Sequence, residues 1–181
     1  MQIVSRLTFF LCIIFALTSC EFHCSVGKKD EADKSVDKPA PNVIPLYNNI
    51  RLTAKDVKVD RAYLITANDG KRVEEGNFVD FSQPIKVIIE VDTGWVAQDG
   101  KVFLGASEKM STKSTTLIDK EDLFAEYDST GVDANDAKTI GLSVTLNLPK
   151  GTPPADYDIV FRVWDKKGKG VIEGSYKLYS K

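Results

Sequence analysis

The sequence predicts an all-β protein, an antiparallel two-sheet sandwich of about seven or eight strands with one short helix. Three observations predict it. Apolar and polar residues alternate over most of residues 43–181. Gly, Pro, Asn and Asp punctuate these stretches at turn-sized intervals. The chain has 181 residues, 43% hydrophobic and 9% aromatic, which suits one globular domain plus tails.

The first element lies outside the sandwich. Arg6 precedes Leu7–Ala16 (LTFFLCIIFA), a ten-residue apolar run. A helix needs ~20 residues to cross a ~30 Å hydrocarbon core, so the run is too short to span. A charged lead followed by such a core has the pattern of a secretory signal peptide. The run ends in Leu17-Thr18-Ser19-Cys20, which resembles a bacterial lipobox. That resemblance implies that residues 1–19 are removed, that Cys20 becomes the first mature residue and that its thiol carries a diacylglycerol. The expected address is the bacterial outer membrane, with the membrane as a partner through the lipid on Cys20. Two or more acyl chains would hold the protein stably.

Residues 20–42 then read as the lipidated cysteine and a flexible tether. Charges of both signs alternate there and Pro39 and Pro41 close it. Cys24 and His23 both fall in this stretch, so residues 43–181 contain no Cys and no His. Cys–His and Ser–His–Asp nucleophiles are thereby excluded from the domain, as are nearly all zinc, copper and haem sites. Glycine-rich phosphate loops and serine-elbow motifs are missing as well. The net charge is −2, and residues 43–181 hold 19 basic and 21 acidic side chains, so nucleic acid is not an expected partner. No cofactor is expected.

Within the domain, Val57, Val59, Tyr63 and Ile65 form a period-two stripe that Arg61 interrupts, the mark of a bulge or an edge. Residues 84–92 place Ile85, Val87, Ile89 and Val91 on one face. Asp99-Gly100 is a two-residue hairpin signal. It pairs Gln98 with Lys101, Ala97 with Val102, Val96 with Phe103 and Trp95 with Leu104, and leaves Trp95 in the core. A helix is predicted over 119–127, capped by Asp119 with Asp122 three residues on and held by Leu123, Phe124 and Tyr127. Residues 140–148 alternate cleanly as a strand. The last hairpin joins 157–164 to 171–179. Pairing Trp164 with Val171 also sets Arg162 opposite Glu173 and Asp158 opposite Lys177, two favourable cross-strand pairs.

Gly151–Ile159 (GTPPADYDI) resembles the approach to the penultimate strand of immunoglobulin-like domains. There a tyrosine opens the strand and an apolar residue follows two later; Tyr157 and Ile159 take those places. The resemblance implies an immunoglobulin-like sandwich and no activity.

Two features could carry function. The loop Asp128–Asp136 gathers Asp128, Asp133, Asn135 and Asp136, oxygen donors of the kind Ca²⁺ takes, though without EF-hand spacing. Its Asp128-Ser129-Thr130 resembles an O-glycosylation sequon of bacterial envelope proteins. The second feature is the outward face. The registers above point Trp164, Phe103, Tyr179 and Val160 outward, with Val96 and Ile88 beside them. Neighbouring strands would gather these into an apolar patch. A covering loop, a partner protein and a carbohydrate are the alternatives for what lies on it. The expected function is a non-catalytic binding or assembly module of the cell envelope, whose partner is another envelope protein or a glycan. The alternatives are a carbohydrate-binding lipoprotein of a glycan-uptake system and a small carboxylate-dependent hydrolase, which would need two facing carboxyls in a cleft.

Overall fold

A computed structural model describes residues 24–26, 44–149 and 152–181. The expected signal peptide, Cys20 and most of the expected tether lie outside the described residues. The fold is all-β, with two sheets stacked as a sandwich. One sheet has four strands in the order β1 (Cys24–Val26), β11 (Thr139–Val144), β5 (Ile85–Thr93) and β3 (Lys58–Thr66). The other runs β2 (Arg51–Lys55), β13 (Val171–Ser180), β12 (Asp156–Asp165), β8 (Leu104–Ser111) and β9 (Thr116–Lys120). Beyond β2, β4 (Phe78–Val79) pairs in parallel with the end of β13. A small ladder of β10 (Val132–Asp133), β7 (Lys101–Val102) and β6 (Ala97–Gln98) stands apart from both sheets.

The core lies between the two inner faces. Ile85, Val87, Ile89 and Val91 from β5 and Ile140, Leu142 and Val144 from β11 are buried. Tyr157, Ile159, Phe161 and Val163 from β12 and Ile172, Tyr176 and Leu178 from β13 belong to the same buried cluster. Each side chain of this size stabilises the fold by roughly 1.5–3 kcal/mol through burial.

The hairpin registers match the sequence reading. Trp164 faces Val171, Arg162 faces Glu173 and Asp158 faces Lys177. The charge pairs close at 3.4 Å and 2.7 Å. Gln98 pairs with Lys101 and Ala97 with Val102. Asp99 and Gly100 both take positive φ, 51° and 76°, as a tight two-residue hairpin turn needs. This ladder ends sooner than expected. The Val96 N–H donates to Asp165 Oδ2 at 2.7 Å, and the Phe103 carbonyl accepts the Lys166 N–H, so Val96 and Phe103 bind the 165–170 turn instead of each other. Trp95 is partly buried against the core, as expected.

Four further expectations are corrected. The bulge or edge expected at Arg61 is present, since the β3–β5 register shifts around Val59 and Arg61 and β3 ends its sheet, but the single-face Val57–Ile65 stripe is split by it. The bulge flips the parity: Val59, Ala62 and Leu64 enter the core, while Tyr63 and Ile65 face outward. The predicted helix over 119–127 does not form. Its first residues belong to β9, where Asp119 sits opposite Lys109 and pairs with it at 2.8 Å. Asp122 accepts the N–H groups of Phe124 (3.0 Å) and Ala106 (3.2 Å), which ties the chain to β8 and leaves one 3₁₀ turn at Ala125–Tyr127. Leu123, Phe124 and Tyr127 still pack on the core. The strand expected over 140–148 stops at Val144. Finally, Cys24–Val26, inside the expected tether, pairs with Ile140–Leu142 and covers the edge of β11. A three-residue strand carries too little pattern to be read from sequence. At the other corner, the Tyr157 ring packs edge-on to Phe81 at 5.1 Å and Ile159 is buried beside it.

Candidate functional site

The outer face of the four-stranded sheet is closed. Tyr63, Ile65 and Ile88 form a second apolar cluster with Tyr47 packed against it. The Arg72 guanidinium lies 3.9 Å from the Tyr63 ring centre and 4.8 Å from that of Tyr47. Ile88 points outward as expected but is only 6% exposed, so it belongs to no open patch.

The expected contact residues have different surroundings. Trp164 faces Gly105 across the β12–β8 ladder, and its ring occupies the space above that glycine. A Cβ at Gly105 would lie 2.2 Å from the ring, so the tryptophan is seated on the sheet. Phe103 lies elsewhere, near Gly131 and under the Lys167 ammonium, 5.3 Å from its ring centre. Val96 is exposed beside the 165–170 turn. Val160 and Tyr179 line one groove, which Trp164, Phe103 and Val96 do not line.

That groove has a volume of about 850 Å³ and lies on the outer face of β12 and β13. It exists because the edge of β13 is covered in two pieces. β2 pairs with Val171–Ser175 and β4 with Tyr179–Ser180. Residues 48–50 and Asn77 fill the gap and build a wall. The Asn77 side-chain amide donates to the carbonyls of Asn48 (2.7 Å) and Lys177 (2.8 Å). The Asn48 amide donates to Val73 O at 2.9 Å, and its Oδ1 accepts the Leu64 N–H at 3.0 Å. Asn48, Asn49 and Asn77 have φ of 57°, 52° and 58°. Asparagine tolerates this left-handed region better than other side chains with a Cβ, which explains the residue type.

The groove floor is outer sheet face. Arg51, Ser175, Val160 and Lys109 form one row across four strands, and Lys177 and Asp158 begin the next. The Asp158 carboxylate, 2.7 Å away, holds the Lys177 ammonium above its ordinary pKa. Tyr179 closes one end with Phe78 against it, ring centres 5.3 Å apart. Phe78 is 59% exposed and Val160 55%. Sequence reasoning missed Asn48, Asn49, Arg51, Glu75 and Asn77. Their only signal was an Asn-rich, turn-like composition between strands.

In the acidic loop, two of the candidate carboxylates meet lysines. Asp128 is paired with Lys166. Asp133 faces Lys101 at 3.8 Å and accepts the Asn135 N–H at 3.0 Å, while Asp136 is exposed in the 3₁₀ turn Asp136–Lys138. Lys166 also bonds Asp122 at 2.5 Å. Burial would raise the Asp122 carboxyl, yet the lysine and two backbone amides hold it below its ordinary value. Burial likewise pulls Lys166 down, and its two carboxylates outweigh that and raise it. Among the described residues, no three His, Cys, Asp or Glu side chains converge as a metal site. No described helix is long and apolar enough to cross a membrane.

One ionisable group lies in the core. Glu108 is 1% exposed on the inner face of β8, in line with Leu104, Ala106 and Met110. Burial pushes its carboxyl up to about 8, only partly offset by the Tyr176 hydroxyl, which donates to Oε1 at 3.4 Å. Oε2 has no partner among the described residues.

Compared with known families and with curated proteins, the chain finds no match in either.

Proposed function

We propose that this is a lipid-anchored bacterial envelope protein whose β-sandwich acts as a non-catalytic binding or assembly module. The observation that carries the binding role is the groove that exposes Val160 and Tyr179 beside a wall of hydrogen-bonded asparagines. Exposed apolar side chains next to fixed polar groups are what a recognition surface needs. The anchor rests on Leu17-Thr18-Ser19-Cys20 and the apolar run before it. Glu75 and Asp158 both line the groove, but each has a local partner: Glu75 accepts the Asn48 N–H at 3.2 Å and Asp158 pairs with Lys177. This supports binding over carboxylate hydrolysis. The mixed polar and aromatic lining favours a second reading, a carbohydrate-binding lipoprotein of a glycan-uptake system.

The anchor is tested by mass spectrometry and membrane fractionation in a bacterial host. Wild-type protein should start at an acylated Cys20 and sediment with membranes. The Cys20→Ser variant should lose the lipid mass and become soluble, and unchanged membrane retention would refute the anchor.

A further inference from the structure

We propose that the groove beside β13 binds a neutral oligosaccharide, an inference that rests on the binding-module reading above. The first argument is charge. Arg51 and Lys177 share the groove with Glu75 and Asp158, two charges of each sign. A ligand of either net charge would meet as much repulsion as attraction. A polyol instead uses donors and acceptors together, and Arg51, Glu75, Asn49 and Ser175 supply both. Among the described residues Arg51 has no ion-pair partner, so its guanidinium is available.

The second argument is shape and polarity. A sugar ring carries C–H groups on its faces and hydroxyls at its rim. Val160 on the floor and the Tyr179 ring at one end offer such a face apolar surface on a rigid sheet, and Phe78 extends the aromatic surface beside Tyr179. The volume falls within the roughly 300–1,000 Å³ of small-ligand sites.

The third argument is rigidity. Three of the five non-glycine residues with positive φ among the described residues, Asn48, Asn49 and Asn77, build this one wall. Asn48 and Asn77 are buried and bonded to segments far away in sequence. Backbone held in sparsely populated conformations collects at ligand clamps. A wall already in place costs less ordering when a ligand arrives.

The test is isothermal titration calorimetry on the purified, detergent-solubilised full chain. The probes are maltohexaose, cellohexaose, xylohexaose, mannohexaose and a β-1,3-glucan hexamer, with trigalacturonic acid as the acidic control. At least one neutral oligosaccharide should bind. Tyr179→Ala and Arg51→Ala should each weaken it about ten-fold or more, while Trp164→Ala stays within about two-fold. Thermal melts check that every variant is folded. The proposal is overturned if no neutral oligosaccharide binds, if only the acidic one binds, or if Trp164→Ala matches Tyr179→Ala. A photo-crosslinking residue at Ser175 in cells separates the two readings. A protein adduct without saccharide binding overturns the saccharide alone, and neither adduct nor saccharide overturns the binding role as well.

Discussion

On the outer face of the four-stranded sheet, Tyr63, Ile65 and Ile88 lie under Tyr47. On the outer face of the other sheet, Val160 is open to solvent, Tyr179 lines a groove and the Trp164 ring sits over Gly105. Both faces begin from apolar residues at outward positions of β-strands. What differs is the chain that crosses them. The 44–50 segment bridges to β3, with Leu46 beside Ala62, and lays Tyr47 over the first face. It then turns at Asn48 and Asn49 and runs into β2, stopping at the rim of the second face. One segment thus covers one sheet and walls a groove on the other, and an outward apolar residue is a binding candidate only where nothing crosses it.

This contrast can be broken by charge. Ile88→Asp should cost about 3–5 kcal/mol or prevent folding, because it buries a carboxylate in an apolar cluster. Val160→Asp, at an outward position with 55% exposure, should stay within about 0.5 kcal/mol. Urea denaturation compares the two, and equal losses would mean the second face is covered too. The contrast sharpens at Gly105. Gly105→Ala forces a methyl into the Trp164 ring and should cost about 1–3 kcal/mol. Combining it with Trp164→Ala should recover most of that loss, and a double-mutant cycle without coupling would show that the ring is not seated there. The smallest effect belongs to Glu173→Ala. Its pair with Arg162 spans 3.4 Å with both side chains more than half exposed, so the melting temperature should barely move.

Much of the fold was legible because local chemistry agreed with the ladder. Asp99-Gly100 and the pairs Arg162–Glu173 and Asp158–Lys177 each name a register unaided. The outward fate of Tyr63 was not legible, since one bulged residue reverses every later side chain in β3. The helix over 119–127 misread Asp119, which answers a cross-strand lysine ten residues earlier in the chain. The groove was the least legible part. Asn77 and Lys177 meet across 100 residues of sequence, and no period or motif records such a contact. Glu108 was visible in principle: it shares the parity of Leu104, Ala106 and Met110 in β8.

That glutamate makes folding an exchange with the buffer. In the unfolded chain its carboxyl is an ordinary acid, ionised at about pH 7. Folded, it titrates near 8 and keeps its proton. Folding near neutral pH therefore takes up close to one proton, and the formal charge of −2 counts one negative charge that the native protein does not carry. Because the folded pKa is the higher one, stability is greatest below about pH 4.5 as far as this group is concerned and declines as pH rises toward 8. The calorimetric heat of unfolding at neutral pH should accordingly differ between phosphate and Tris, buffers with unlike ionisation heats, and Glu108→Gln should remove that difference.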